Sequence, residues 1–193
     1  MQIRVLSFAL LALGATAAQA NLITNGSFED VSLNGSWSQF NTITGWYAMS
    51  DKIEIGQAGV YGVTGQDGAN VLELDANHNA TVAQDLSLSA GTYSLSFLKA
   101  MRAGTDPSTN EIQVLWNGTQ VASYLPNSTA FSMESLNLTA VGGVNTLAFR
   151  SAGSADSYGG MVDKVSVQAV PEPASVAALG VGAMGLLRRR RKA

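Results

Sequence analysis

Short alternating runs, broken every few residues by turn formers, restrict this chain to strands over most of its length. In Tyr93-Ser94-Leu95-Ser96-Phe97 the three large side chains share one face and the serines the other, a period of two that suits a half-buried strand. Ile112, Val114 and Trp116 repeat the pattern, and Asn117-Gly118 predicts a type I′ turn into a strand over Thr119–Leu125. Comparable runs occupy Asn21–Thr24, Trp46–Met49, Lys52–Ile55, Asn70–Asp75, Ala80–Leu86, Thr92–Ala100, Phe131–Leu138, Val144–Arg150 and Gly160–Gln168. Asn34–Ser36, Gly62–Gly68, Gly104–Ser108 and Ser151–Gly159 read as loops. So many short strands with no helix of consequence predict an all-β sandwich or barrel.

The two ends follow other rules. Arg4, the apolar run Val5–Ala15 and Ala18-Gln19-Ala20 form the charged, greasy and small-x-small parts of a signal peptide. Residues 1–20 are therefore expected to be a signal helix that signal peptidase removes after Ala20. At the other end Pro171-Glu172-Pro173 precedes an apolar stretch, Ala174–Leu187, and the basic stop Arg188–Lys192. Fourteen residues of helix would span roughly 21 Å, short of the roughly 30 Å of a hydrocarbon core. Such a segment suits transient retention in a membrane, with the cations on the inner side.

Between the tags lie about 150 residues, the size of one domain. In that part thirteen acids face five bases, leaving about −8. A surface of that sign repels phosphate backbones and excludes nucleic acid as a natural partner. There is no cysteine and one histidine, so neither a zinc cluster nor a Cys/His dyad can be assembled. His78, in Asn77-His78-Asn79, reads as a turn residue. Glu73 and Asp75 lie two apart on one strand, flanked by Leu72 and Leu74, and read as solvated acids on a wet face, not as a hydrolytic pair. No catalytic residue is assigned.

The three-part tail Val170–Ala193 resembles the PEP-CTERM sorting signal of Gram-negative bacteria. The resemblance implies cleavage near Pro171, Glu172 and Pro173 by an exosortase, after transient anchoring in the inner membrane through 174–187. It further implies delivery to the cell surface or an exopolysaccharide matrix. The preceding 21–169 also carries a resemblance. Asn21-Leu22-Ile23-Thr24-Asn25-Gly26-Ser27-Phe28-Glu29, Gly45-Trp46, Ile53-Glu54-Ile55, Asp67-Gly68, Leu72-Glu73-Leu74-Asp75, Gln84, Gly91–Phe97 and Gly160–Val167 stand in this order. Together they resemble galactose-binding-like, carbohydrate-binding-module-like jelly rolls. That implies a two-sheet antiparallel sandwich with neighbouring chain ends and, in many members, sugar binding.

The same resemblance implies a structural calcium ion with Glu29 and Asp163 as side-chain ligands. Calcium's preference for six to eight oxygens could be met by two carboxylates and loop carbonyls, although Lys164 stands where relatives often have a neutral Asn. For a sugar, aromatic faces and a few fixed polar groups are needed. Trp37 and Tyr61, in polar Gly-bearing loops, are expected to be exposed. Arg102 is expected to pair with Glu54 or Asp106, and Trp37, Tyr61, Arg102 and Glu54 are the candidate ligand contacts. Tyr47 and Tyr158 are further aromatic candidates, while Trp46 is expected in the core. Relatives often carry a Trp after Ile-Glu-Ile; here that position is Gly56. The function these readings point to is non-catalytic binding of extracellular polysaccharide. The alternative is a purely structural surface or biofilm protein with no sugar site.

Overall fold

The architecture is seen in a computed structural model that describes residues 20–170. Twelve strands form two six-stranded sheets. In sheet order the first consists of β1 (Trp37–Phe40), β4 (Ile53–Gln57), β5 (Asn70–Glu73), β12 (Met161–Ala169), β7 (Gly91–Ala100) and β10 (Ser132–Ala140). The second consists of β2 (Thr42–Ile43), β3 (Trp46–Ser50), β6 (Thr81–Leu88), β11 (Gly143–Ser151), β8 (Ile112–Trp116) and β9 (Thr119–Tyr124). Strand pairing within both sheets is antiparallel. This is the two-sheet sandwich expected from the alternation.

The alternation is what fills the space between the sheets. Tyr93, Leu95 and Phe97 from the first sheet meet Val114, Leu147 and Phe149 from the second in one buried cluster. Phe149 sits edge-on to Phe97 with ring centres 5.0 Å apart, and Trp46 lies 5.4 Å from Phe28. Trp46 is thus a core residue, with its indole N–H donating to the Asn25 carbonyl at 3.1 Å. Asn117 and Gly118 both adopt positive φ, 52° and 77°, as a type I′ turn between β8 and β9 requires.

The N-terminal segment does not form the strand expected over Asn21–Thr24. The Leu22 N–H donates to the Val167 carbonyl at 2.9 Å, but the Asn21 side chain takes up the neighbouring groups of Val165 and Val167. The Gln84 amide accepts from the Thr24 N–H and donates to the Thr24 carbonyl. Side-chain amides therefore replace the ladder, while still bringing the chain ends together on β12. Two strands went unforeseen, β1 and β2. Both are edges of their sheets with no fully buried residue, so neither needs the apolar alternation that marks a strand.

The first sheet is covered on its outer face as well. A helical turn, α1 (Ala58–Tyr61), and the chain after it lay Ala58, Tyr61 and Val63 against Val71, Ala100 and Met161. As a result β5 is buried at every position. The signal helix, the C-terminal hydrophobic helix and the positions Pro171, Glu172 and Pro173 lie outside the described residues; Ala20 is exposed.

Candidate functional site

One member of this outer cluster, Tyr61, lines a cleft together with Glu54 of β4. Glu54 and Glu73 are directly opposite each other across β4 and β5. Both point away from the main core, into the layer roofed by α1. Burial on that second face corrects the expectation of a wet surface: Glu73 and Asp75 are fully enclosed. One Glu73 oxygen accepts from the Gly159 N–H and the other from the Asp75 N–H. Burial, then the Glu54 charge, push the Glu73 carboxyl up to about 8.

Above Glu73 stands Arg102. Its guanidinium is 3.8 Å from Glu73, so the partner is neither Glu54 nor Asp106 as expected from the sequence. The same group donates to the Ser157 carbonyl at 3.2 Å. It lies over two rings, 4.6 Å from the centre of Tyr158 and 5.0 Å from that of Tyr61, a cation–π sandwich that fixes the planar head. Tyr61 is not in an exposed loop; it sits in α1 at 2% exposure and donates its hydroxyl to Glu54 at 3.0 Å. Burial and the Glu54 charge push the Tyr61 phenol well above its ordinary range. The second Glu54 oxygen accepts from the Gln39 amide at 2.9 Å.

Trp37 completes the arrangement. It lies on β1 in register with Gly56 of β4. A Cβ at Gly56 would come within 2.5 Å of the Tyr61 hydroxyl and 2.8 Å of Trp37 Cβ. The missing Trp after Ile-Glu-Ile thus leaves the space into which Trp37 and Tyr61 close. Trp37 remains 48% exposed. Trp37, Glu54, Tyr61, Arg102, Ser157 and Tyr158 line a cleft of about 240 Å³. Trp37 also lines an open groove bounded by residues 32–40. The four candidate ligand contacts read from the sequence converge in this cleft, joined by Tyr158. Tyr47 lies on the other sheet, with its hydroxyl on Asp85 at 3.1 Å.

Glu29 and Asp163 stand together elsewhere, where the N-terminal segment meets β12. Glu29 Oε1 accepts from the Ala69 and Asn70 N–H groups, both at 2.7 Å. Asp163, fully buried, accepts from the N–H groups of Asp67 and Lys164, both at 2.6 Å. Burial pushes its carboxyl up to about 7, with the Asp67 and Glu29 charges adding in the same direction. Lys164 reaches Asp67 at 3.4 Å on the exposed side. Among the described residues no three acids or imidazoles close on a single point, so a cation here would depend on backbone carbonyls as well. The side-chain donors are hard carboxylate oxygens of the kind calcium takes, with Lys164 offsetting part of their charge through Asp67.

Comparison with known proteins bears on both the fold and the tail. A family model described as a PEP-CTERM protein-sorting motif matches residues 169–192. The multifunctional-autoprocessing repeats-in-toxin of Vibrio cholerae serotype O1 is 40% identical over 149 residues, which covers 75% of this chain and 3% of that protein. The protein of the same name from Vibrio vulnificus is 38% identical over the same length and shares. The chain therefore spans about 3% of the length of these relatives. Among solved structures, TmCBM61 in complex with β-1,4-galactotriose superposes with a TM-score of 0.52 at 12% identity, covering 78% of this chain and 99% of that one. A family 35 carbohydrate-binding module from Clostridium thermocellum superposes at 0.45 and 16% identity, covering 69% and 92%. The structural neighbours are carbohydrate-binding jelly-roll modules, and the chain carries a PEP-CTERM sorting motif behind a sandwich of that fold.

Proposed function

We propose that this chain is an exported protein whose sandwich binds polysaccharide without transforming it, the producing cell's own exopolysaccharide being the expected ligand. The reading rests on one observation: an exposed indole, Trp37, shares a cleft with the Arg102 guanidinium, which two tyrosine rings flank and the Ser157 carbonyl holds. Aromatic faces stack on pyranose rings, and fixed polar groups read their hydroxyls. Glu54 is the one carboxylate lining the cleft, and its oxygens are already engaged by Tyr61 and Gln39. That favours binding over the two-carboxylate chemistry of glycoside hydrolysis. The groove on the other side of Trp37 would let a polymer continue past the cleft.

In this reading residues 1–20 are removed by signal peptidase. Exosortase processes the tail at Pro171-Glu172-Pro173 after 174–187 has held the chain in the inner membrane. The 21–169 domain then remains at the cell surface or in the matrix of a Gram-negative bacterium. A calcium ion at Glu29 and Asp163 would brace the joined ends of a domain with no disulfide. The test of the binding reading is a glycan array, followed by titration with the best polysaccharide, for wild type and Trp37→Ala. Because Trp37 is half exposed, the variant should keep its melting point and lose about tenfold or more in affinity. Equal binding by both proteins, or binding to no glycan, would sink this reading.

A further inference from the structure

Among the described residues three buried side-chain atoms have no hydrogen-bond partner: Asp75 Oδ1, Asn79 Oδ1 and Ser151 Oγ. The backbone makes their residues neighbours. The Ala80 N–H donates to the Leu74 carbonyl at 2.9 Å, closing 75–79 into a turn with Asp75 and Asn79 on its two sides. The Ser151 N–H donates to the Ala80 carbonyl at 3.0 Å, setting Ser151 beside that turn. The segment after Ser151 then folds over it. Asn79 Nδ2 donates to the Gly153 carbonyl at 2.8 Å, and the N–H groups of Asp156 and Ser157 donate to Asp75 Oδ2 at 2.9 and 3.0 Å. Asp75 Oδ2 and Asn79 Nδ2 hold the loop, while Asp75 Oδ1 and Asn79 Oδ1 are left without a partner.

A buried polar atom left unpaired keeps its full desolvation cost, and three on residues that adjoin one loop call for an occupant. All three are hard oxygens: a carboxylate, an amide carbonyl and a hydroxyl. We propose that the 75–79 turn and the loop 152–158 enclose a second cation site of the calcium class, with Asp75, Asn79 and Ser151 as its side-chain ligands. The loop over the ion carries Ser157 and Tyr158, which line the cleft. The ion would set that wall, a consequence that rests on the sugar reading; the site itself does not.

The competing occupant is a single water, donating to Asp75 and Asn79 and accepting from Ser151. Calcium calorimetry on the chelator-stripped full chain separates the two. Asp75→Asn is nearly isosteric: its Oδ1 still accepts from Asp156 and Ser157, and its amide can donate to the orphaned oxygens. It should lose one calcium equivalent that wild type binds, with an unchanged or higher metal-free melting point. Glu29→Gln should retain that equivalent, so the two cation sites can fail separately. Should Asp75→Asn not fold, Ser151→Ala must weaken the same equivalent several-fold. An Asp75→Asn or Ser151→Ala isotherm identical to wild type assigns the orphaned oxygens to water and overturns the proposal, as does a wild type whose only calcium is lost in Glu29→Gln.

Discussion

Replacing Glu73 by glutamine should make two stability curves cross. Glu73 titrates near 4.5 in an open chain and at about 8 when folded. A carboxyl raised in the folded state favours folding at low pH, and that contribution is lost as pH climbs through the folded value. Between about pH 5 and about pH 8 the difference integrates to about 3 kcal/mol. In a domain of about 150 residues that is a fall of roughly 6–12 °C in melting point. Asp163, raised to about 7, slopes the same way, so the wild-type curve alone does not isolate Glu73; the difference from the variant does. Glutamine cannot titrate. It can accept from only one of the Gly159 and Asp75 N–H groups, and its NH₂ faces the other, a pH-independent loss of about 1 kcal/mol. Thermal melts should therefore find Glu73→Gln less stable by about 1 kcal/mol near pH 5 and more stable by about 2 kcal/mol near pH 8. A variant that is less stable by a constant amount at both pH values would refute the reasoning. It would mean that Arg102 and the two N–H groups keep Glu73 ionised throughout.

Two further outcomes test the ends of the chain. Calcium at a hundredfold excess over its dissociation constant should stabilise wild type by about 3 kcal/mol through the Glu29 site. Glu29→Gln, which still accepts from Ala69 and Asn70 through its amide oxygen, should lose that increment; a wild-type melting point indifferent to EDTA counts against the site. Intact-mass analysis of secreted material should find a chain beginning at Asn21 and lacking Arg188–Lys192. A secreted product that still carries those cations would contradict the processing scheme.

Much of this molecule was legible in one dimension because the physics was local. The period of two in Tyr93–Phe97 and in Ile112–Trp116 needs only neighbouring residues to declare a strand, and Asn117-Gly118 needs only its own φ angles to declare a turn. The C-terminal sorting motif is compositional in the same way. The cleft residues were named for their chemistry, and Trp37, Glu54, Tyr61 and Arg102 do converge, but their environments were misjudged. Tyr61 was expected in the open and is buried; Arg102 was expected on Glu54 or Asp106 and stands on Glu73. Both errors have one cause. Alternation within β5 predicts a dry face and a wet face, and nothing local announces that α1, which ends nine residues before β5 begins, returns to cover the wet one.

The sequence by itself therefore determined an acidic, cysteine-free, all-strand body ahead of a PEP-CTERM sorting motif, because strand period, turn chemistry and that motif are written in adjacent residues. The tertiary structure alone decided which charges are buried. Glu73 meets Gly159 and Arg102, and Asp75 meets Asp156 and Ser157, across tens of residues of chain. Desolvation depends on everything that packs around a group, and no window of sequence contains that.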